Sequence, residues 1–199
     1  MESQALAPVE RRMKEGEVEM MLVPTAGAVE QLQSIKKLQA TIKANLAEGF
    51  DYGTIPGTQK PTLLKAGAEK IVTLFQARPH FVLVEKIENW GDKPLFYYHY
   101  RCEIVHVGTG IVIGEGEGSC NSKEDKYGYR WVGERELPEG VNKEDLPMKW
   151  RKGYGGKSYP VYRTENTEVF SLVNTIQKMS MKRALVAAAV VLGRLSDLF

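Results

Sequence analysis

Cysteine is scarce in this chain: Cys102 and Cys120 are the only two among 199 residues. No disulfide framework can be built from them, and a reducing compartment is expected. Long apolar runs are missing too, and the N-terminus Met1-Glu2-Ser3-Gln4 lacks the basic start and apolar core of a secretory signal. The expectation is a cytosolic protein. Nor is there an excess of one charge, since 27 Lys and Arg against 25 Asp and Glu leave a formal charge of +2 and a pI near 8.4. That balance is too mild to announce a polyanionic partner by itself. What remains is ordinary for one folded domain with a real core, at 43% hydrophobic and 26% charged.

The charge is unevenly spread. Residues 146–163 carry Lys149, Arg151, Lys152, Lys157 and Arg163 with no acid among them, a local cationic patch. Residues 1–24 are charged and without sustained periodicity, and are expected to be a flexible tail preceding one domain over 25–199. Thr25 can cap a first helix whose apolar positions Val29, Leu32, Ile35, Leu38, Ile42 and Leu46 recur at three- and four-residue steps up to Gly49. Such a stripe ordinarily packs into a core. Pro61 and Thr62 open a second helix with Leu64, Ala68, Ile71, Leu74 and Phe75 inward, closed by Pro79.

The period then changes. Residues 81–89, 95–106 and 111–117 are rich in aromatic and β-branched side chains, and short turns at Gly91-Asp92-Lys93-Pro94 and Gly108-Thr109-Gly110 separate them. Three consecutive antiparallel strands are predicted. Residues 121–165, rich in Gly, Pro, Tyr and charge, are too long for an ordinary connection and form either a functional loop or an inserted subdomain. A final helix follows, with Val169, Leu172, Ile176, Met179, Leu185, Ala188 and Leu192 on its apolar side. The predicted fold class is α+β: a curved three-stranded antiparallel meander followed by a packed helix (β-β-β-α), preceded by two helices.

Several catalytic patterns fail. A phosphate loop starting at Gly53 would need Gly-Lys-Ser/Thr where Thr58-Gln59-Lys60 stands. Gly114-Glu115-Gly116-Glu117-Gly118 ends a strand, precedes no helix and carries acids that would repel a pyrophosphate. Glycines so placed relieve crowding where a strand bends or another chain approaches. His99, Cys102, His106 and Cys120 include no Cys-x-x-Cys pair, so a zinc site finds little support. No serine, histidine and acid arrangement stands out as a triad. Catalytic residues, metal and cofactor are all expected to be none.

The informative pattern is Lys126-Tyr127-Gly128-Tyr129-Arg130-Trp131 followed by Lys149-Trp150-Arg151-Lys152-Gly153-Tyr154 and Tyr159-Pro160-Val161-Tyr162-Arg163. Rings alternate with cations, the combination that stacks unpaired bases while pairing phosphates. The competing reading, evenly weighed, is that the rings pack a small glycine-rich subdomain and the cations are merely solvated. On the last helix Lys178 and Lys182 share a face with Arg183 beside them, and Arg194 follows.

Three strands ending in a glycine-rich run, then a helix bearing Lys182-Arg183-Ala184-Leu185, resemble the core of the single-strand annealing proteins of the Rad-fifty-two type, with their phage relatives Erf and Sak. The resemblance spans roughly residues 80–195. It implies subunits assembled into rings or helical filaments, single-stranded DNA in a basic outer groove, and annealing of complementary strands in recombination and repair without ATP or metal. Lys182 and Arg183 match the helix pair that touches the DNA backbone. Expected DNA contacts are Lys182 and Arg183 from the resemblance, Lys178 beside them on the helix, and Lys126, Arg130, Trp131, Lys149, Trp150, Arg151, Lys152, Tyr154 and Lys157 from the ring-and-cation pattern of the long segment. That segment departs from the family, whose relatives often have a shorter link. A single-strand-binding protein is a further expected partner, and the location implied is cytoplasmic and nucleoid-associated. The rival readings are a nuclease holding a metal with Glu115, Glu117 and Asp125, and a module that grips another protein.

Overall fold

The computed structural model describes residues 27–55 and 57–199. Its elements in chain order are α1 (Ala28–Ala44), β1 (Tyr52–Gly53), β2 (Thr62–Leu63), α2 (Lys65–Leu74), β3 (Ala77–Asn89), β4 (Leu95–His106), β5 (Val112–Asn121), α3 (Asp125–Gly128), β6 (Tyr129–Val132), β7 (Met148–Lys152), β8 (Ser158–Glu165) and α4 (Val173–Leu192), with short 3-10 turns between some of them. The expected tail, and Thr25 as a cap, lie outside the described residues. Among those residues no helix is long and apolar enough to cross a membrane.

The centre of the molecule is the antiparallel meander β3-β4-β5 with α4 across one face. Alternation in β4 explains the layering, since Phe96, Tyr98, Tyr100, Cys102 and Ile104 all point to the helix side and are all buried. They pack on Ile176, Ala184, Leu185, Ala188 and Ala189 of α4. Burial lifts the Tyr98 hydroxyl to about 12 and the Cys102 thiol to about 11. Burial pushes the Cys120 thiol up as well, and both cysteines pack unpaired in the core.

The glycine-rich run in β5 is where helix and strand come closest. A β-carbon on Gly116 would lie 2.2 Å from the Ala188 amide nitrogen, and one on Gly118 would lie 2.3 Å from that of Ala184. Gly114 faces Leu192 at ordinary van der Waals distance. Every second residue of the strand thus meets every fourth residue of the helix, because two strand residues advance about 6.7 Å and four helical residues about 6.0 Å. The glycines admit the chain's own helix, and small side chains on α4 complete the fit.

The fold expected from sequence needs correction: three antiparallel sheets and four helices occupy the described residues, not one meander flanked by helices. Strand pairing occurs between the early helices, where Tyr52 pairs with Leu63 and Gly53 with Thr62. This small pair is tied to α2 by Asp51, which is 1% exposed and accepts hydrogen bonds from the Ala47 amide at 2.8 Å and the Lys70 ammonium at 2.6 Å. The second helix stops at Leu74, since Gln76 takes a left-handed conformation with φ 50°, and Pro79 lies inside β3. An edge strand tolerates that proline.

The stripe on α1 is a second correction. Ile42 alone is buried, whereas Val29 and Leu32 are 65% and 60% exposed. Only the C-terminal turns of α1 reach the core, where Gln39 also bonds the Arg194 carbonyl and Asp197.

Residues 121–165 fold as α3 and a third sheet ordered β6-β8-β7. Tyr129 to Val132 pair with Glu165 to Tyr162, and Met148 to Lys152 pair with Tyr162 to Ser158. The hairpin tip Gly153-Tyr154-Gly155-Gly156-Lys157 needs left-handed backbone at Gly155 and Gly156, with φ 82° and 78°. The short elements α3 and the turn Val169–Leu172 join this sheet to the core.

Candidate functional site

Directly opposed residues of an antiparallel sheet share a face, so the register of the third sheet sorts its side chains. Trp131 opposes Arg163, Tyr129 opposes Glu165, Lys149 opposes Val161 and Arg151 opposes Tyr159. One face therefore carries three rings (Tyr129, Trp131 and Tyr159), three cations (Lys149, Arg151 and Arg163) and the Glu165 carboxylate, around the buried Val161. The Lys149 ammonium sits over the Trp131 ring at 4.0 Å, and the Arg163 guanidinium over the Tyr129 ring at 4.1 Å. Each cation caps one face of its ring and holds it, and Arg163 is itself held by Asp125. A groove of about 390 Å³ runs between Trp131, Arg151, Tyr159 and Arg135.

The other expected contacts from this segment fall elsewhere. Trp150, Lys152 and Arg130 belong to the opposite face, as their partners Pro160, Ser158 and Thr164 do. Arg130 is paired there with Glu168 at 2.8 Å. Tyr154 and Lys157 are at the hairpin tip, with Tyr154 fully exposed. Lys126 lies on α3 beside Glu124 at 3.9 Å and over the ring of Tyr127. The expected set is thus split, and Tyr129, Tyr159, Arg135 and Arg163 complete the interleaved face without having been among the expected contacts. All four stand within or beside the ring-and-cation motif; choosing them required the strand register.

On α4 the three cations also part company. Arg183 is engaged inside the molecule: its two terminal nitrogens donate to the two oxygens of Glu124 at 2.6 and 2.8 Å, and one also donates to the Ser119 carbonyl. The hydrogen bonds from Arg183 hold the Glu124 carboxyl below its ordinary range, and those to Glu124 raise Arg183 in turn. Arg183 is a clamp between α4, the end of β5 and the start of α3, so its guanidinium is engaged within the molecule. Lys178 and Lys182 have no acid within 4.0 Å among the described residues. With Lys65 of α2 they rim a cleft of about 430 Å³ floored by Phe81, Met179, Met181 and Leu185.

The carboxylates of the nuclease reading do not converge. Glu117 contacts His99 at 3.2 Å on the uncovered face of the meander, and Asp125 contacts Arg163 at 3.0 Å. No group of three or more His, Cys, Asp or Glu is gathered for a metal among the described residues. The remaining large cleft, about 940 Å³, lies where the β3-β4 turn meets the base of the third sheet. Comparison with protein-family models, curated proteins and solved structures finds no match to this chain.

Proposed function

We propose that this chain binds single-stranded DNA and anneals complementary strands without hydrolysing a nucleotide, working as a ring or filament of identical subunits in recombination and repair. The observation that carries the reading is the face of the third sheet on which Tyr129, Trp131 and Tyr159 lie beside Lys149, Arg151 and Arg163, with Glu165 at its end. An unpaired base offers a free π-face to such rings and its phosphate a charge to such cations, each stacked base contributing about 1 to 3 kcal/mol. Duplex DNA keeps its bases stacked on one another, so only the cations serve it. Lys65, Lys178 and Lys182 supply a second cationic strip along the core. Annealing then needs no fuel, because base pairing itself supplies the free energy.

Self-association is supported by the meander's edges. Both β3 and β5 present an unpaired side, with Leu83, Val84 and Ile87 exposed on one and Val112 and Ile113 on the other. A second copy is a natural cover for such edges. The resemblance to annealing proteins points the same way, and the proposal extends to nucleoid DNA in the cytoplasm with a single-strand-binding protein as neighbour.

The test is a Trp131→Ala, Tyr159→Ala double variant. Its affinity for an unstructured single strand should fall at least about tenfold while duplex binding changes little. Trp150→Ala, on the opposite face, should cost less. Wild-type affinity in a folded double variant would show that these rings only pack the third sheet.

A further inference from the structure

The cleft between the β3-β4 turn and the third sheet holds an aromatic platform that the face described above does not use. Trp90 is 57% exposed, yet its ring is fixed: it meets the fully buried Phe96 edge-on at 4.7 Å and lies nearly parallel to Phe170 at 5.9 Å. A large ring that is both exposed and anchored from behind loses little conformational freedom on binding, which is what a stacking surface requires. Lys93 and Lys123 line the same cleft and have no acid within 4.0 Å among the described residues, although Asp92 and Glu165 line it too. Tyr129 belongs to this cleft and, through Arg163, to the interleaved face.

We infer that the cleft takes an unpaired base of the bound single strand, stacked on Trp90, with flanking phosphates at Lys93 and Lys123. The inference rests on the single-strand reading given above and adds a base site outside the third sheet. It makes the junction between core and third sheet part of the DNA path, so that a strand on Tyr159 and Trp131 passes Tyr129 and ends against Trp90. The volume of about 940 Å³ leaves room for a base and its sugar.

Trp90, Trp131 and Trp150 are the three tryptophans of the chain, so a Trp131→Phe, Trp150→Phe variant reports on Trp90 alone. It is titrated with a labelled 20-nucleotide oligothymidylate, following label anisotropy and Trp90 emission together. Emission should be quenched with the same midpoint as the anisotropy rise. In the otherwise unchanged chain, Trp90→Leu should weaken binding about tenfold with little effect on duplex. Unchanged Trp90 emission through saturation overturns the cleft while leaving the third-sheet reading in place. So does wild-type affinity in Trp90→Leu. Absence of any anisotropy change in the unsubstituted chain overturns the single-strand reading itself. If Trp90→Leu melts at a much lower temperature, the quenching result on the single-tryptophan variant decides alone.

Discussion

Arg183 and Trp90 mark the two ways in which single residues escaped the sequence. Arg183 stands in a short motif read from sequence as a DNA contact, but its partner Glu124 is 59 positions away, and no periodicity connects a helix to a distant turn. Trp90 lies in a turn next to Gly91, and the rings that hold it come from β4 and from Phe170, 80 residues later in the chain. Types of residue were legible; their engagements were not. The clamp has a consequence in pH. Hydrogen bonds from Arg183 lower the Glu124 carboxyl in the folded state, so its contribution is present above the ordinary glutamate range and lost as pH falls through the lowered value. Glu124→Gln should lower stability at neutral pH by about 1 to 2 kcal/mol, less than a fully buried pair because both side chains keep some exposure. It should also flatten the acid limb of the stability curve. Denaturant melts from pH 7 down to pH 3 check this, and an unchanged acid limb would mean the pair does not bind the helix to α3.

Among the elements, those with a long unbroken period were the readable ones. β4 alternates over its whole length and was placed at its ends; α4 keeps its stripe for 20 residues, but it starts at Val173, after a 3-10 turn that holds Val169 and Leu172. β1 and β2 are two residues each, β6 four and β7 five, too short for alternation to rise above turn chemistry. The α1 stripe was misjudged for another reason: periodicity says which face is apolar but not whether anything arrives to cover it. The glycine run of β5 shows element-scale fit at its tightest. Gly116→Ala should cost about 3 kcal/mol or more, because the added carbon meets backbone of Ala188, which cannot rotate away as a side chain would. Each kcal/mol lowers Tm by about 2 to 4 °C in a domain of this size. Glu115→Ala and Glu117→Ala, whose side chains point off the uncovered face, serve as comparison and should change Tm by little. A Gly116→Ala protein that melts with wild type would contradict the close helix-strand contact.

For the whole molecule, the proposal joins a helix-backed meander that has open edges to a small sheet that has an open, ring-lined face. In that proposal assembly uses the open edges of β3 and β5, and strand contact uses the β6-β8-β7 face. The most direct measurement is the annealing rate of two complementary oligonucleotides of about 50 nucleotides, with EDTA present and no nucleotide added, at increasing protein concentration. The account predicts a rate well above the spontaneous one, falling steeply as salt rises, because phosphate contacts release counterions. It also predicts that the Trp131→Ala, Tyr159→Ala variant loses most of that acceleration. A wild-type rate equal to the spontaneous one at every protein concentration would contradict it.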